Sequence, residues 1–173
     1  MGAVKRTSFE EMHCSIAQTL EVVGEWWTLL IVRDAMLGVT RFDDWQRRLG
    51  IARNVLSARL DALVGHGILE RRRYQERPAR DEYVLTRKGR DLTPVIEALR
   101  TWGDRHAAPD GPPVLMIHDD CGEAVHAVSH CSHCGERLRG DHLHLEPGPG
   151  DPDLRFLPGF TSAASTAGDD ASD

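Results

Sequence analysis

The chain has 173 residues, 40% of them hydrophobic and 28% charged, with a formal net charge of −6. That length suits one full domain with a small appendage, and no apolar run approaches the ~20 residues that a membrane span needs. The N-terminal MGAVKRTSFEEMH lacks the apolar core of a secretory signal, so the expectation is a cytoplasmic protein whose four cysteines are metal ligands, redox thiols or core residues rather than disulfides.

In CSIAQTLEVVGEWWTLLIVRDAMLG, apolar residues fall at Ile16, Leu20 and Val23, pause at Gly24, and resume at Trp27, Leu30, Ile31 and Met36 before Gly38. The pattern predicts two helices ending at glycines, the second largely buried, with the tryptophans of GEWWTLL in the core. TRFDDWQRRLG predicts a short helix with Thr40 as N-cap, Phe42, Trp45 and Leu49 inward, and Gly50 closing it. GIARNVLSARLDALVGHGILERRR follows. Its Leu56, Leu60, Leu63 and Val64 share one face, Arg53, Asn54, Ser57 and Arg59 crowd the rest, and the helix ends near Gly65–Gly67.

The period then changes. Ile68 to Tyr74 and Glu82 to Thr86 suit two strands, with ERPARD as a charged turn around Pro78. Thr86 can cap a further helix bearing a stripe of Leu92, Val95, Ile96, Leu99 and Trp102. A stripe of that length lacks a partner within so small a domain, which points to a second copy of the chain. AAPDGPP reads as a linker and TSAASTAGDDASD as a disordered tail. The expected organisation is a domain at 1–107, a linker at 108–113, a Cys/His segment at 114–145 and a flexible tail at 146–173.

The order of helices, strand, basic turn, strand and helix is that of a winged helix-turn-helix. The fold class is therefore mainly α with a small β-hairpin wing, plus a small C-terminal segment of zinc-ribbon type. Charge supports a polyanion partner. From Arg41 to Arg90 there are 13 basic against 7 acidic residues, whereas Gly111 to Asp173 holds 3 against 11. A helix entering the major groove needs one apolar side for docking and polar groups for base edges and phosphates. Arg53, Asn54 and Ser57 at its start, with Arg41 and Arg59, are the expected contacts, and Arg77 and Arg80 at the wing tip reach the minor groove or phosphate. A wing serving a protein partner is the competing reading, which the confined basic charge disfavours.

These stretches resemble the HxlR-type regulators, relatives of the MarR group, over roughly Cys14 to Trp102. The resemblance rests on Cys14 heading the first helix, on GEWWTLLIVRDAMLG, on TRFDDWQRRLGIARNVLSARLDALVGHGILER and on DEYVLTRKG. It implies a homodimer on a palindromic operator, joined through terminal helices, and most often a repressor. Ala52 stands where relatives commonly carry a Ser or Thr cap. In one branch of the family the cysteine at the Cys14 position senses quinones, aldehydes or oxidants. Physically, a helix N-terminus stabilises a thiolate, and a protonated His13 would add to this. A regulator without cysteine sensing is the alternative.

Beyond the linker, HDDCG (118–122) and CSHCG (131–135) share one pattern of ligand, two residues, Cys and Gly. Two-residue spacing lets both side chains reach one tetrahedral ion, and the glycine permits a tight turn. His118, Cys121, Cys131 and Cys134 form the expected structural zinc set, with His126, His130 and His133 as competitors. The segment has too few large apolar residues to fold without such a staple. An enzyme is not expected: there is no HxE with PCxxC, no phosphate loop, no nucleophile elbow and no HExxH.

Overall fold

The computed structural model describes residues 8–146 and 148–150. The tail expected from residue 146 onward lies almost wholly outside them. The chain divides into two compact units, Val22–Arg137 and a smaller one drawn from Met1–Glu21 and Leu138–Asp173. The elements in chain order are α1 (Ser15–Val23), α2 (Trp26–Met36), α3 (Phe42–Leu49), α4 (Arg53–Gly65), β1 (Leu69–Gln75), β2 (Arg80–Leu85), α5 (Arg87–Arg90), α6 (Thr93–His106), β3 (Met116–Ile117) and β4 (Ala124–Val125). A single 3₁₀ turn follows at Gly140–His142.

The core is built from the apolar positions that the helical spacing singles out. Ile31 and Val32 of α2, Trp45 of α3, Leu56, Leu60 and Leu63 of α4, and Ile51, Ile68, Leu69 and Tyr83 form one buried cluster. Such burial removes each large side chain from water and contributes about 1.5–3 kcal/mol per residue. α3 carries Asp43 and Asp44 in its first turn and Arg47 and Arg48 in its last, signs that complement the helix dipole. Gly50 then stops it in the left-handed conformation, its N–H returning to the Gln46 carbonyl at 3.0 Å. One charge lies inside: Asp34 is fully buried, and its two oxygens meet Arg33 at 2.9 Å and Arg48 at 3.2 Å.

β1 and β2 pair antiparallel from Leu69↔Leu85 to Arg73↔Asp81, with a register shift before Gln75. Arg41 forms an isolated bridge with Glu82, and the Tyr83 N–H donates to the Thr40 carbonyl at 2.8 Å. Thr40 thus anchors the wing through its backbone carbonyl. The N-cap of α3 is Arg41, and no side chain caps that helix, which corrects the assignment of Thr40.

Thr86 does cap a helix, its hydroxyl accepting the Gly89 N–H at 3.1 Å, but that helix is the short α5. A turn at Asp91–Leu92 separates it from α6, so the single helix read from the sequence is two. Gly89 is buried where a Cβ would sit 2.2 Å from the Ile68 carbonyl oxygen, and only glycine fits that approach.

The tryptophans of GEWWTLL divide. Trp27 packs partly against the core, whereas Trp26 is 88% exposed, so the core assignment fails for Trp26. The helix phase explains it, because adjacent residues point about 100° apart and Thr28 and Ile31 already take the buried side.

Candidate nucleic-acid interface

α4 presents its start to solvent because its leucines hold the opposite side in the core. Arg53, Asn54 and Ser57 are all exposed on the first two turns. Ala52 is the N-cap and supplies no side-chain acceptor. The first N–H groups of the helix therefore keep their donor capacity and the dipole's positive end, a combination suited to phosphate.

A groove runs between the start of α4, α3 and the wing, lined by Arg41, Arg47, Arg53 and Arg80 together with Phe42 and Tyr74. The aromatic rings set the basic groups in place. The Arg53 guanidinium lies 4.8 Å from the Phe42 ring centre and 3.7 Å from Asp43, and Arg41 stacks 4.9 Å from the Tyr74 ring centre. Asp43, Asp44 and Asp81 share the groove, with Asp44 paired to Arg47 and Asp81 to Arg73. The exchange of a surface carboxylate for a phosphate costs little, since exposed pairs of this kind contribute only ~0–1 kcal/mol.

Arg77 stands exposed in the turn before Pro78, and Arg80 opens β2 at the groove's rim. Arg59 is placed apart from the others. It sits about one-quarter exposed on the flank of α4 and pairs with Glu25 at 3.3 Å. Two groove residues escaped the sequence reading, Arg47 and Tyr74. Arg47 lies two residues after the buried Trp45 and so falls on the opposite side of α3, the signal by which it could have been found.

Tyr83 forms the floor between groove and core. Burial pushes its phenol above the ordinary value, more than the facing Arg71 draws it down.

Cys14 is half-buried and directly precedes α1, its carbonyl accepting the Gln18 N–H at 2.9 Å. The Gln18 side-chain amide donates back to the carbonyls of Phe9 and Met12, folding the preceding turn over the helix start.

In the Cys/His segment, His118 Nδ1 lies 3.3 Å from Cys121 Sγ, and the His133 N–H points at Cys131 Sγ from 3.4 Å. Hydrogen bonds from the backbone N–H groups of Cys134 and His133 hold the Cys131 thiol below its ordinary value, helped by the Cys134 side chain. Among the described residues, no three His, Cys, Asp or Glu side chains gather into one group able to hold an ion. His118 and Cys121 thus form one pair, with Cys131 and Cys134 forming another.

At the start of α6, its N-cap Leu92 and Ile96 pack onto the core, while Val95, Leu99 and Trp102 remain exposed on the other side. Among the described residues, no helix is long and apolar enough to cross a membrane.

Comparison with known proteins accords with this architecture. The family model described as HxlR-like helix-turn-helix matches residues 22–110. The HTH-type transcriptional regulator Rv3095 of Mycobacterium tuberculosis (strain ATCC 25618 / H37Rv) is 47% identical over 137 residues, covering 79% of this chain and 87% of its own. A regulator of Methanothermobacter thermautotrophicus is 32% identical over 57% of this chain and 76% of its own. Among solved structures, the proposed transcription factor PA1607 superposes with a TM-score of 0.73 at 38% identity, over 82% of this chain and all of that one. The redox regulator HypR in its oxidised form superposes with a TM-score of 0.50 at 31% identity, over 54% of this chain and 97% of that one.

Proposed function

The chain belongs to the HxlR-like helix-turn-helix family, whose members are transcriptional regulators rather than enzymes, and from that premise we propose a homodimeric repressor that binds a palindromic operator and answers an oxidant or electrophile through Cys14. The observation that carries the DNA-binding part is the groove in which Arg41, Arg47, Arg53 and Arg80 converge beside the exposed start of α4. α4 lies in the major groove with Arg53, Asn54 and Ser57 toward base edges, while Arg77 and Arg80 hold the flanking backbone. The bare face of Val95, Leu99 and Trp102 on α6 supports the dimer, since three large apolar side chains in a row are costly to leave in water. Likeness to HypR, a redox regulator, supports a redox response, and the position of Cys14 at the start of α1 makes it the thiol proposed to carry it.

The test begins with selection of a binding site from random duplex DNA, followed by titration at several salt concentrations. A two-fold symmetric site, bound by two chains with affinity falling steeply in salt, supports the reading. Absence of any salt-dependent duplex binding overturns it and leaves the wing to a protein partner. Diamide or a quinone is then added to the complex. Release by the natural chain but not by Cys14→Ser supports sensing, and equal release from both removes Cys14 from the mechanism.

A further inference from the structure

The Cys/His segment contains the same structural unit twice, thirteen residues apart. In the first copy, the His118 N–H donates to the Glu123 carbonyl at 3.0 Å, and the Gly122 N–H donates to the His118 carbonyl at 2.8 Å. In the second, the Cys131 N–H donates to the Glu136 carbonyl at 2.7 Å, and the Gly135 N–H donates to the Cys131 carbonyl at 2.9 Å. Gly122 and Gly135 take φ of +73° and +75°. Each turn closes on a strand pairing at matching positions, Ile117↔Ala124 in one and His130↔Arg137 in the other.

This duplication identifies equivalent residues. His118 corresponds to Cys131, and Cys121 corresponds to Cys134. The competing histidines fall elsewhere: His130 is the counterpart of Ile117, and His133 that of Asp120. His130 also engages the Gly135 carbonyl through Nδ1 at 2.9 Å. Only His118 among them occupies a ligand position.

Two further observations point to an ion. His118 Nδ1 and Cys121 Sγ are 3.3 Å apart, close to the ~3.5 Å that zinc–nitrogen and zinc–sulfur bonds subtend at a tetrahedral angle. In addition, no described residue from 111 to 146 is buried. Val114, Leu115, Ile117 and Val128 are all exposed, so apolar packing does not hold two tight turns in shape.

We propose that His118, Cys121, Cys131 and Cys134 bind one zinc ion per chain, each turn supplying half of a tetrahedral Cys3His site that the metal closes. The three thiols bind as thiolates and release their protons to solvent, while His118 binds as the neutral imidazole. With four protein ligands the site has no open position for substrate, so the ion is structural. Its occupancy is a property of the free protein and stands independently of DNA binding.

The test is metal analysis of the reduced, full-length protein, with uptake of cobalt(II) by the metal-stripped chain. One zinc per chain is expected, retained in Cys14→Ser and lost in His118→Ala, Cys121→Ser and Cys134→Ser. Cobalt is expected to give the visible bands of a tetrahedral ion with sulfur charge transfer, a readout that needs no variant to fold. Helical circular dichroism of the variants is expected to persist, because the core of α2 to α4 is built elsewhere. A chain that takes up neither metal overturns the proposal. So does full zinc retention in Cys121→Ser, which would mean that the second turn binds without the first.

Discussion

Trp45 of α3 and Tyr83 of β2 meet edge to face, their ring centres 6.2 Å apart and their planes inclined at 69°. This pair ties the wing to the helix that precedes α4, on two sides of the basic groove. Trp45 is fully buried, so truncating it takes a large side chain out of the core. Trp45→Ala is expected to destabilise the fold by about 3–5 kcal/mol in urea denaturation. Tyr83→Phe keeps the ring contact and is expected to cost less than Trp45→Ala.

Tyr83 also gives the alkaline limb of stability a testable sign. Burial raises its folded-state pKa above the unfolded value of about 10. The neutral phenol is thus favoured by folding. That contribution is complete below pH ~10 and is lost as pH rises through the folded pKa. Thermal melts of the natural chain are expected to fall more steeply above pH 10 than those of Tyr83→Phe.

Gly89 offers the sharpest local test of the wing's closure. An added Cβ would collide with the Ile68 backbone oxygen at 2.2 Å and with Leu85 Cδ2 at 2.8 Å. Backbone cannot yield as a side chain can, so Gly89→Ala is expected to cost about 1–3 kcal/mol by chemical denaturation. Gly65→Ala, with open space around its Cβ, serves as the control and is expected to be neutral or mildly stabilising.

Arg53 and Arg80 line the same groove but are expected to fail differently. In the proposed binding mode, Arg53→Ala removes a group at the base edges. It should cost about 1–3 kcal/mol on the preferred site and relax the sequence preference at one position. In the same mode, Arg80→Ala removes a phosphate contact. It should weaken all duplexes alike and reduce the salt slope by about 1. Fluorescence anisotropy on matched and scrambled duplexes separates the two.

The exposed side of α6 makes a prediction about assembly. Leu99→Glu together with Trp102→Glu puts two charges on the proposed dimer face, where neither could be buried unpaired. Size-exclusion chromatography with light scattering is expected to show one chain per particle, with helix content retained because both side chains lie outside the core.

Periodicity and punctuation in the sequence determined the helices, the hairpin, the core leucines and the exposed start of α4. Each of these depends on spacing along a single segment: Leu56, Leu60 and Leu63 must share a face whatever they pack on, and Gly50 stops α3 through its own backbone. The doubled pattern of His or Cys, two residues, Cys and Gly was equally legible, since each turn closes on itself within six residues.

Tertiary structure decided what depends on pairing between segments. Thr40 falls one residue before the N-cap Arg41, where its backbone carbonyl accepts the Tyr83 N–H and ties β2 to the start of α3. Trp26 was left in solvent once Thr28 and Ile31 filled the inner side of α2. Arg59 was turned toward Glu25 and Arg47 into the groove, since charged side chains on a helix settle where a neighbouring element offers an opposite charge or a concave surface. A single-segment pattern carries no information about that neighbour, and the packing of the chain supplies it.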